Sequence, residues 1–563
     1  MSTSTRTKPV KGAPLPIPGN DDPYAGEILV RRTFTIRAAL ATLLLAGVAV
    51  AAVYYLNPLL AGAALFGISF LYLTRKLVFN WTGAFIVLLG VIMFIPVRYY
   101  SLPIPIGFAL EPYRLVIVLM VVAAIVALLI DPRFVWRPAA FGWPLAIWVG
   151  TSLLSIAANV EFIAEGGLGS GVAGAIVTDV LMLSVYFVAR LMMRSEHLVE
   201  GVLTFLVWTA VVVAFFAVLE RATQQNIFTR LDQFLPLERL GAEQEAYRAG
   251  GYRSFGSSQH PIALAVMFTM MIPIAVYLSK WARWPLNEIN RRIVYYGAIL
   301  ALLLGVVTAV SRTAIVTLGV MFLVTLILRP KVGGYLALGA IPVLGLGFLV
   351  IPKILTDMIG SFLDPEALIA SQYTSAGMAG AGRLADLEPA MAIVREHPFF
   401  GTGVGSRIVV GDDKNAFILD NQWLGTLMDA GAVGVIGLAV LFLVPVIMLL
   451  RYSFTKTSTP QYASLAFAIA ILLIGYTIAA YFYDAFGFYQ AFMLFWVFLA
   501  IGAWTLTEAP RSTPRRRLAP EDAGHVSAFV RPRPQPENGP AIGASLGGPS
   551  SDHVVRRPAP IES

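Results

Sequence analysis

The sequence predicts an all-α polytopic membrane protein of about fourteen transmembrane helices (twelve to fourteen), and three observations carry that reading. Of the 563 residues, 57% are hydrophobic and only 13% charged, about half the charged share of an ordinary soluble domain. Apolar runs recur from about residue 38 to residue 506. At about 1.5 Å per helical residue each is long enough to cross most or all of a bilayer core about 30 Å thick. The runs are continuous, without the apolar–polar alternation a membrane barrel requires.

The spans are placed near 38–55, 58–73, 82–97, 115–130, 139–156, 173–192, 198–219, 260–278, 293–310, 313–328, 333–351, 432–450, 461–483 and 488–506. Short loops that follow even-numbered spans are basic, with Arg137, Arg194, Lys280, Arg283 and Arg329 among them. Those that follow odd-numbered spans hold only Arg98 and Arg312, with Arg114 at an edge. The positive-inside bias then puts the even loops and both termini in the cytoplasm. The two longest polar segments, 220–259 and 352–431, both fall on the opposite face. The net charge of +8 follows from this bias and needs no nucleic-acid partner.

The expected organisation is a disordered cytoplasmic tail over 1–35, eleven spans over 36–351, a large extracytoplasmic loop over 352–431, three spans over 432–506 and a second cytoplasmic tail over 507–563. The tails are rich in Pro, Gly, Ser and Arg and poor in large apolar residues. Some thirty-five mostly polar residues precede the first apolar run, so no cleavable signal pattern is expected. There is no cysteine, which excludes disulfides, thiolate metal sites and thiol nucleophiles. The five histidines form no metal-ligand spacing, and no metal or cofactor is expected.

Arginines on the outer side run against the insertion bias and call for a reason. Arg248 and Arg253 stand in Tyr-Arg-Ala-Gly-Gly-Tyr-Arg-Ser-Phe-Gly (247–256), just before a span. The glycines allow close backbone approach, and the guanidinium fork suits phosphate. A hydrated turn with snorkelling arginines is the alternative. Arg312 follows Ser311 in a connection with almost no loop, where an arginine is costly unless paired or ligand-bound. Residues 383–397 begin with Arg383 and place Leu384, Leu387, Met391 and Val394 on one helical face, with Pro389 fitting only a first turn. That spacing predicts a short amphipathic helix from near Glu388. A Pro-Phe-Phe-Gly-Thr-Gly-Val-Gly turn (398–405) follows, then Asp420-Asn421, Gly431 and Gly434. Asp420 offers a carboxylate at the membrane boundary, as a base toward an acceptor hydroxyl or as a helix cap. The two glycines, three apart, read as a close-packing flank. Asp179, inside the sixth span, is a further intramembrane acid, and Glu220-Arg221 and Glu111 with Arg114 can pair locally.

Taken in order, Gly-Tyr-Arg253-Ser-Phe-Gly, Thr-Ala-Val-Ser311-Arg312, and the Arg383 segment with Pro398-Phe-Phe-Gly-Thr-Gly, Asp420-Asn421, Gly431 and Gly434 resemble the bacterial O-antigen ligase and O-antigen or exopolysaccharide polymerase superfamily. The resemblance covers roughly residues 170–450. It implies a GT-C-like membrane fold and a metal-independent glycosyltransferase. The donor would be an undecaprenyl-pyrophosphate-linked glycan, and the acceptor a hydroxyl on a lipid or glycan. Arg253, Arg312 and Arg383, with Arg248, would contact pyrophosphate, and Asp420 with Asn421, Gly431 and Gly434 would form the acceptor side. Ligases carry a histidine where this chain has Asp420, which tilts the expectation toward a polymerase. Membrane lipids and other polysaccharide-assembly proteins are the further expected partners. A transporter or flippase, or a non-catalytic export component, are the competing readings; the chain shows no inverted repeat of the kind transporters carry.

Overall fold

The computed structural model describes residues 81–103, 109–130, 136–240, 247–248, 251–350, 366, 387–407, 419–456 and 458–509, all within one compact unit, Met1–Ser512. The first two predicted spans, the first tail, residues 510–563 of the second and Arg383 lie outside the described residues. The helices are α1 (Trp81–Phe94), α2 (Pro112–Ile130), α3 (Gly142–Ala158), α4 (Val160–Glu165), α5 (Gly169–Met192), α6 (Glu196–Thr223), α7 (Pro261–Trp281), α8 (Glu288–Thr308), α9 (Arg312–Leu328), α10 (Pro330–Val350), α11 (Leu387–Glu396), α12 (Gln422–Ser453), α13 (Pro460–Ala479) and α14 (Tyr489–Thr507). Two-residue strands β1 (Tyr100–Ser101), β2 (Glu238–Arg239), β3 (Tyr247–Arg248) and β4 (Gly251–Tyr252) interrupt the loops. They form two antiparallel ribbons, Tyr100↔Arg239 and Tyr247↔Tyr252, which hydropathy alone does not reveal.

Eight of the described helices are long and apolar enough to cross a membrane: α2, α5, α6, α7, α8, α12, α13 and α14. Shorter apolar helices are α1, α3 and α9. This is a polytopic membrane protein. Most of α7 and α14 is buried on every side, whereas α2 leaves Leu119 and Leu129 facing outward. A helix that is apolar all round fits either place, a packed centre or a lipid-facing rim. Helix starts follow their capping residues. The Asn287 side chain accepts from the N–H groups of Ile289 and Asn290 at the start of α8, and Ser195 accepts from Leu198 N at the start of α6.

The connections sort into two ends, and the bonds keep them apart. At one end Arg190 and Arg137 meet Glu508, Arg283 meets Glu196 and Glu200, and Arg329 donates to the Ser453 and Ala463 carbonyls. These are the even-numbered loops of the sequence pattern, and we call this the basic end. The odd-numbered loops meet one another at the other end, the loop-bearing end. There β1 pairs with β2, Arg98 reaches Tyr489, and Gln259 Nε2 donates to Gly487 O.

A half helix precedes the expected start of the twelfth span at 432. The helix α12 begins at Gln422 and is broken at Gly431, where φ is 64° and ψ −163°. The first half was missed because it mixes Gln422, Thr426 and Asp429 with its apolar residues, which masks a hydropathy signal. Gly431 is therefore a break point as well as a place of close backbone approach.

Candidate active site at the loop-bearing end

The break in α12 is filled by the 398–405 turn. A helix interrupted at Gly431 leaves the carbonyls of Met428 and Asp429 and the N–H groups of Ala432 and Val433 without their usual intrahelical partners. The turn supplies all four. Ala432 N donates to Pro398 O (3.0 Å) and Val433 N to Phe399 O (3.1 Å), while Thr402 N donates to Met428 O (3.0 Å) and Gly403 N to Asp429 O (2.9 Å). Buried Ser155 of α3 reaches both strands of this joint, with Oγ 2.8 Å from Phe400 O and 2.9 Å from Asp429 O. The glycines explain themselves here. Gly401, Gly403 and Gly405 all have positive φ (63°, 103° and 81°), a region open to glycine at little cost. A Cβ on Gly401 would meet the α12 backbone, and one on Gly405 the start of α5.

The predicted amphipathic helix is α11, and its first residue lies within one of the expected start. Its buried residues are Ala390 and Val394, packed with Leu419 and Met428. Of the predicted stripe, Met391 and Val394 pack in this cluster, while Leu387 at the helix start is exposed. The helix packs on the first half of α12.

Just before that half helix stand Asp420 and Asn421. The cap is Asn421, whose Oδ1 accepts from Trp423 N (3.0 Å) and Leu424 N (3.1 Å). Asp420 is thus not the capping residue. Gln422 then fastens the α13–α14 connection: its N–H donates to Ala480 O (2.9 Å) and Tyr483 O (3.2 Å), and its Oε1 accepts from Phe486 N (2.8 Å). These bonds bracket Asp484 in the α13–α14 connection and fasten that connection to the start of α12. Burial pushes the Asp484 carboxyl above the usual carboxylate range. Arg407, the Gly487 N–H and Arg98 oppose that rise, and Asp420 adds to it. Arg407 lies over Gly425, donates to Asp429 Oδ2 at 3.3 Å, and comes from the turn that fills the break. Asp179 on α5 faces Asp429 in turn.

The second part of the site is built around Arg253. Buried Glu220 accepts from Phe255 N (3.0 Å), Gly256 N (2.8 Å) and the Tyr252 hydroxyl (3.1 Å). Its partners are these groups of the 252–256 loop, and not the neighbouring Arg221. Arg221 itself donates to Tyr252 O. This clamp sets Arg253 against the α8–α9 connection. Its Nε donates to Ala309 O (3.2 Å), and Ser254 N to Thr308 O (3.2 Å). The connection carries Val310 at φ 45° and leads directly into Arg312, the first residue of α9. Arg253 and the Arg312 turn are therefore brought together as the sequence suggested. Arg248 lies in the β3–β4 ribbon beside them, paired with Gly251.

The 480–490 segment joins the two parts. Gln490 Nε2 reaches Ser257 Oγ (3.2 Å) and Ile92 O (2.8 Å), Ser258 bonds the Gln490 side chain, and the His260 ring lies 5.4 Å from that of Phe488. From the first outer connection Arg98 bonds the Tyr489 hydroxyl at 2.5 Å and stacks over its ring. Its N–H donates to Glu111 Oε2 at 2.6 Å, and Glu111 also pairs with Arg114 at 3.2 Å. Arg407, Asp429 and Asp484 escaped the sequence reading, and Arg98 was counted there only for topology. The signal that could have found the two arginines is the same one that found Arg253, a cation on the face that insertion disfavours. Gly434 closes tightly on Ala430 within α12.

Arrayed this way, one end of the bundle offers guanidinium groups suited to a phosphate anion and, across a short connection, carboxylates suited to a hydroxyl. No curated protein matches the chain. Residues 297–439 match the family model described as O-antigen ligase, a stretch that includes Arg312, Asp420 and the whole α12 joint. That match supports the O-antigen ligase and polymerase superfamily.

Proposed function

We propose that this protein is a membrane glycosyltransferase that transfers or polymerises glycan from an undecaprenyl-pyrophosphate-linked donor. The reaction takes place at the outer face of a bacterial inner membrane, with both termini cytoplasmic. The observation that carries the reading is the O-antigen ligase domain at 297–439, which holds Asp420 at the capped start of α12. Arg253 and the Arg312 turn lie at the same end of the bundle.

In the proposed reaction an acceptor hydroxyl on a lipid or glycan attacks the anomeric carbon of the donor sugar. The bond from that carbon to the pyrophosphate oxygen breaks, and its electron pair leaves with the lipid pyrophosphate. Arg253 and Arg312, with Arg248 and Arg383, hold the charge that develops on the leaving group. Asp420 takes the hydroxyl proton, and Asn421 holds the half helix that presents it. Arginines neutralise the pyrophosphate in this scheme, which is how it proceeds independently of a metal. An aspartate in place of the ligase histidine favours polymerisation over transfer to a lipid core.

The test is transfer by the purified protein in lipid vesicles supplied with undecaprenyl-pyrophosphate-linked repeat units. Chains should lengthen with wild type. Arg253→Ala should lower the rate by about 10² or more, the usual effect of removing a group that stabilises transition-state charge. Arg253→Lys should recover little, because a point charge lacks the fork. An unchanged rate in Arg253→Ala would exclude the site; transport of the lipid-linked unit without any change in chain length would replace the reading with a transporter.

A further inference from the structure

The connection between α1 and α2 carries two arginines that the transfer scheme leaves unused, Arg98 and Arg114, and they share one carboxylate. Buried Glu111 accepts from the Arg98 backbone N–H through Oε2 at 2.6 Å, and its Oε1 stands 3.2 Å from Arg114 Nη2. Arg114 Nε also donates to the Tyr113 hydroxyl at 3.1 Å. The Glu111 charge is thus answered by the Arg114 side chain, while Arg98 gives it only a peptide N–H. One positive charge is left over, on the face where insertion disfavours cations.

That charge has a neutral host. Arg98 Nη2 donates to the Tyr489 hydroxyl at 2.5 Å, and the guanidinium carbon lies 4.3 Å from the centre of the same ring. No ion pair closes on the Arg98 side chain among the described residues. An aromatic face fixes where a guanidinium stands without cancelling its charge. The residue is exposed, and its φ of 61° is a conformation that an arginine adopts only at a cost. An arginine that merely snorkels to the headgroups needs neither a fixed backbone nor an aromatic platform. Tyr489 precedes Gln490, whose Nε2 reaches Ser257 Oγ at 3.2 Å in the loop that follows Arg253. Arg98 is therefore fastened to the lattice that holds Arg253 while coming from a separate connection.

We propose that Arg98, steadied by Tyr489, is a binding site for a phosphate group carried on a lipid at the loop-bearing end. A guanidinium has five N–H donors, and the Tyr489 hydroxyl occupies one, so the rest of the fork is left for phosphate oxygens. Arg114 holds Glu111, and Glu111 holds the Arg98 backbone in place. Two lipids bring this chemistry to the membrane rim, the pyrophosphate-bearing carrier of the proposed transfer and a bilayer phospholipid. The site stands without the proposed transfer, and only its assignment to the carrier rests on that reading.

The experiment is lipid retention by the full-length protein in detergent, read by native mass spectrometry. The probes are undecaprenyl pyrophosphate, phosphatidylglycerol and undecaprenol, which has the carrier's tail and no phosphate. Arg98→Gln should weaken binding of a phosphate-bearing probe by about tenfold, the effect of losing hydrogen bonds to a charged group. Arg98→Lys should recover part of it, because the charge remains and the fork does not. Undecaprenol binding should be the same in all three proteins. Because the side chain is exposed, Arg98→Gln should also keep the wild-type unfolding midpoint. A loss confined to undecaprenyl pyrophosphate assigns the site to the carrier, and a loss confined to phosphatidylglycerol assigns it to a bilayer headgroup. Unchanged binding of both phosphate lipids would overturn the proposal. So would an equal loss in Arg292→Gln, which removes an exposed arginine at the basic end. Wild type that binds phosphatidylglycerol through Arg98 yet transfers no chains would sink the proposed function and leave this site standing.

Discussion

The two ends of the bundle differ in how completely Arg190 and Arg407 are paired. At the basic end each arginine of the main clusters closes on an acceptor from its own chain. Arg190, 2% exposed, meets Glu508 at 2.5 Å and also bonds Pro138 O and Thr507 Oγ1. Arg283 bridges Glu196 and Glu200. At the loop-bearing end Arg407 holds Asp429 through one 3.3 Å bond, and neither Arg407 Nε nor Asp429 Oδ1 has a hydrogen-bond partner among the described residues. Backbone strain is divided the same way. Arg98, Gln224 and Val310 have positive φ at the loop-bearing end, as do all the described positive-φ glycines, against Ala140 alone at the basic end. Closed ion pairs fasten helix ends. Strained backbone and incompletely closed charges gather where a ligand is to be held.

This contrast can be broken by substitution. The largest stability loss belongs to the basic end. Arg190→Ala removes the centre of a buried network and should cost about 3 kcal/mol, read as a lower unfolding midpoint in detergent. The transfer rate per folded molecule should stay at the wild-type level. A fall in rate without a fall in midpoint would erase the distinction between the ends. Gly431→Ala comes next. It places a Cβ at φ 64° against the Phe399 backbone, for a cost of about 2 kcal/mol. Because the joint positions Asp420, this variant should lose transfer as well as stability, and retention of full transfer would show that the break is not part of the site. Smallest is Arg292→Ala, which removes an exposed pair with Glu288 on the first turn of α8. Its cost should be below about 0.5 kcal/mol, and a larger shift would mean that the basic end is more tightly coupled than its geometry suggests.

Much of the frame was legible from residues alone. Segments such as 198–219 and 488–506 had to be helices, because a chain in lipid satisfies its backbone only internally. The candidate arginines Arg253 and Arg312 were legible too, because cations on the disfavoured face stand out against the insertion pattern. The face of α11 was legible at Met391 and Val394, though periodicity names a stripe and leaves open what covers it. The first half of α12 was missed because its polar residues serve a buried joint and therefore carry no lipid signature.

What residue order determined by itself is the alternation of apolar runs and basic loops, since bilayer thickness and insertion act on each segment locally. Which loops meet was decided only in three dimensions. Gln422 reaches Phe486 across 64 residues, and Ser155 reaches the α12 joint across 274. Such pairings follow from how the helices pack, and the packing of mutually apolar surfaces leaves no local mark in the sequence.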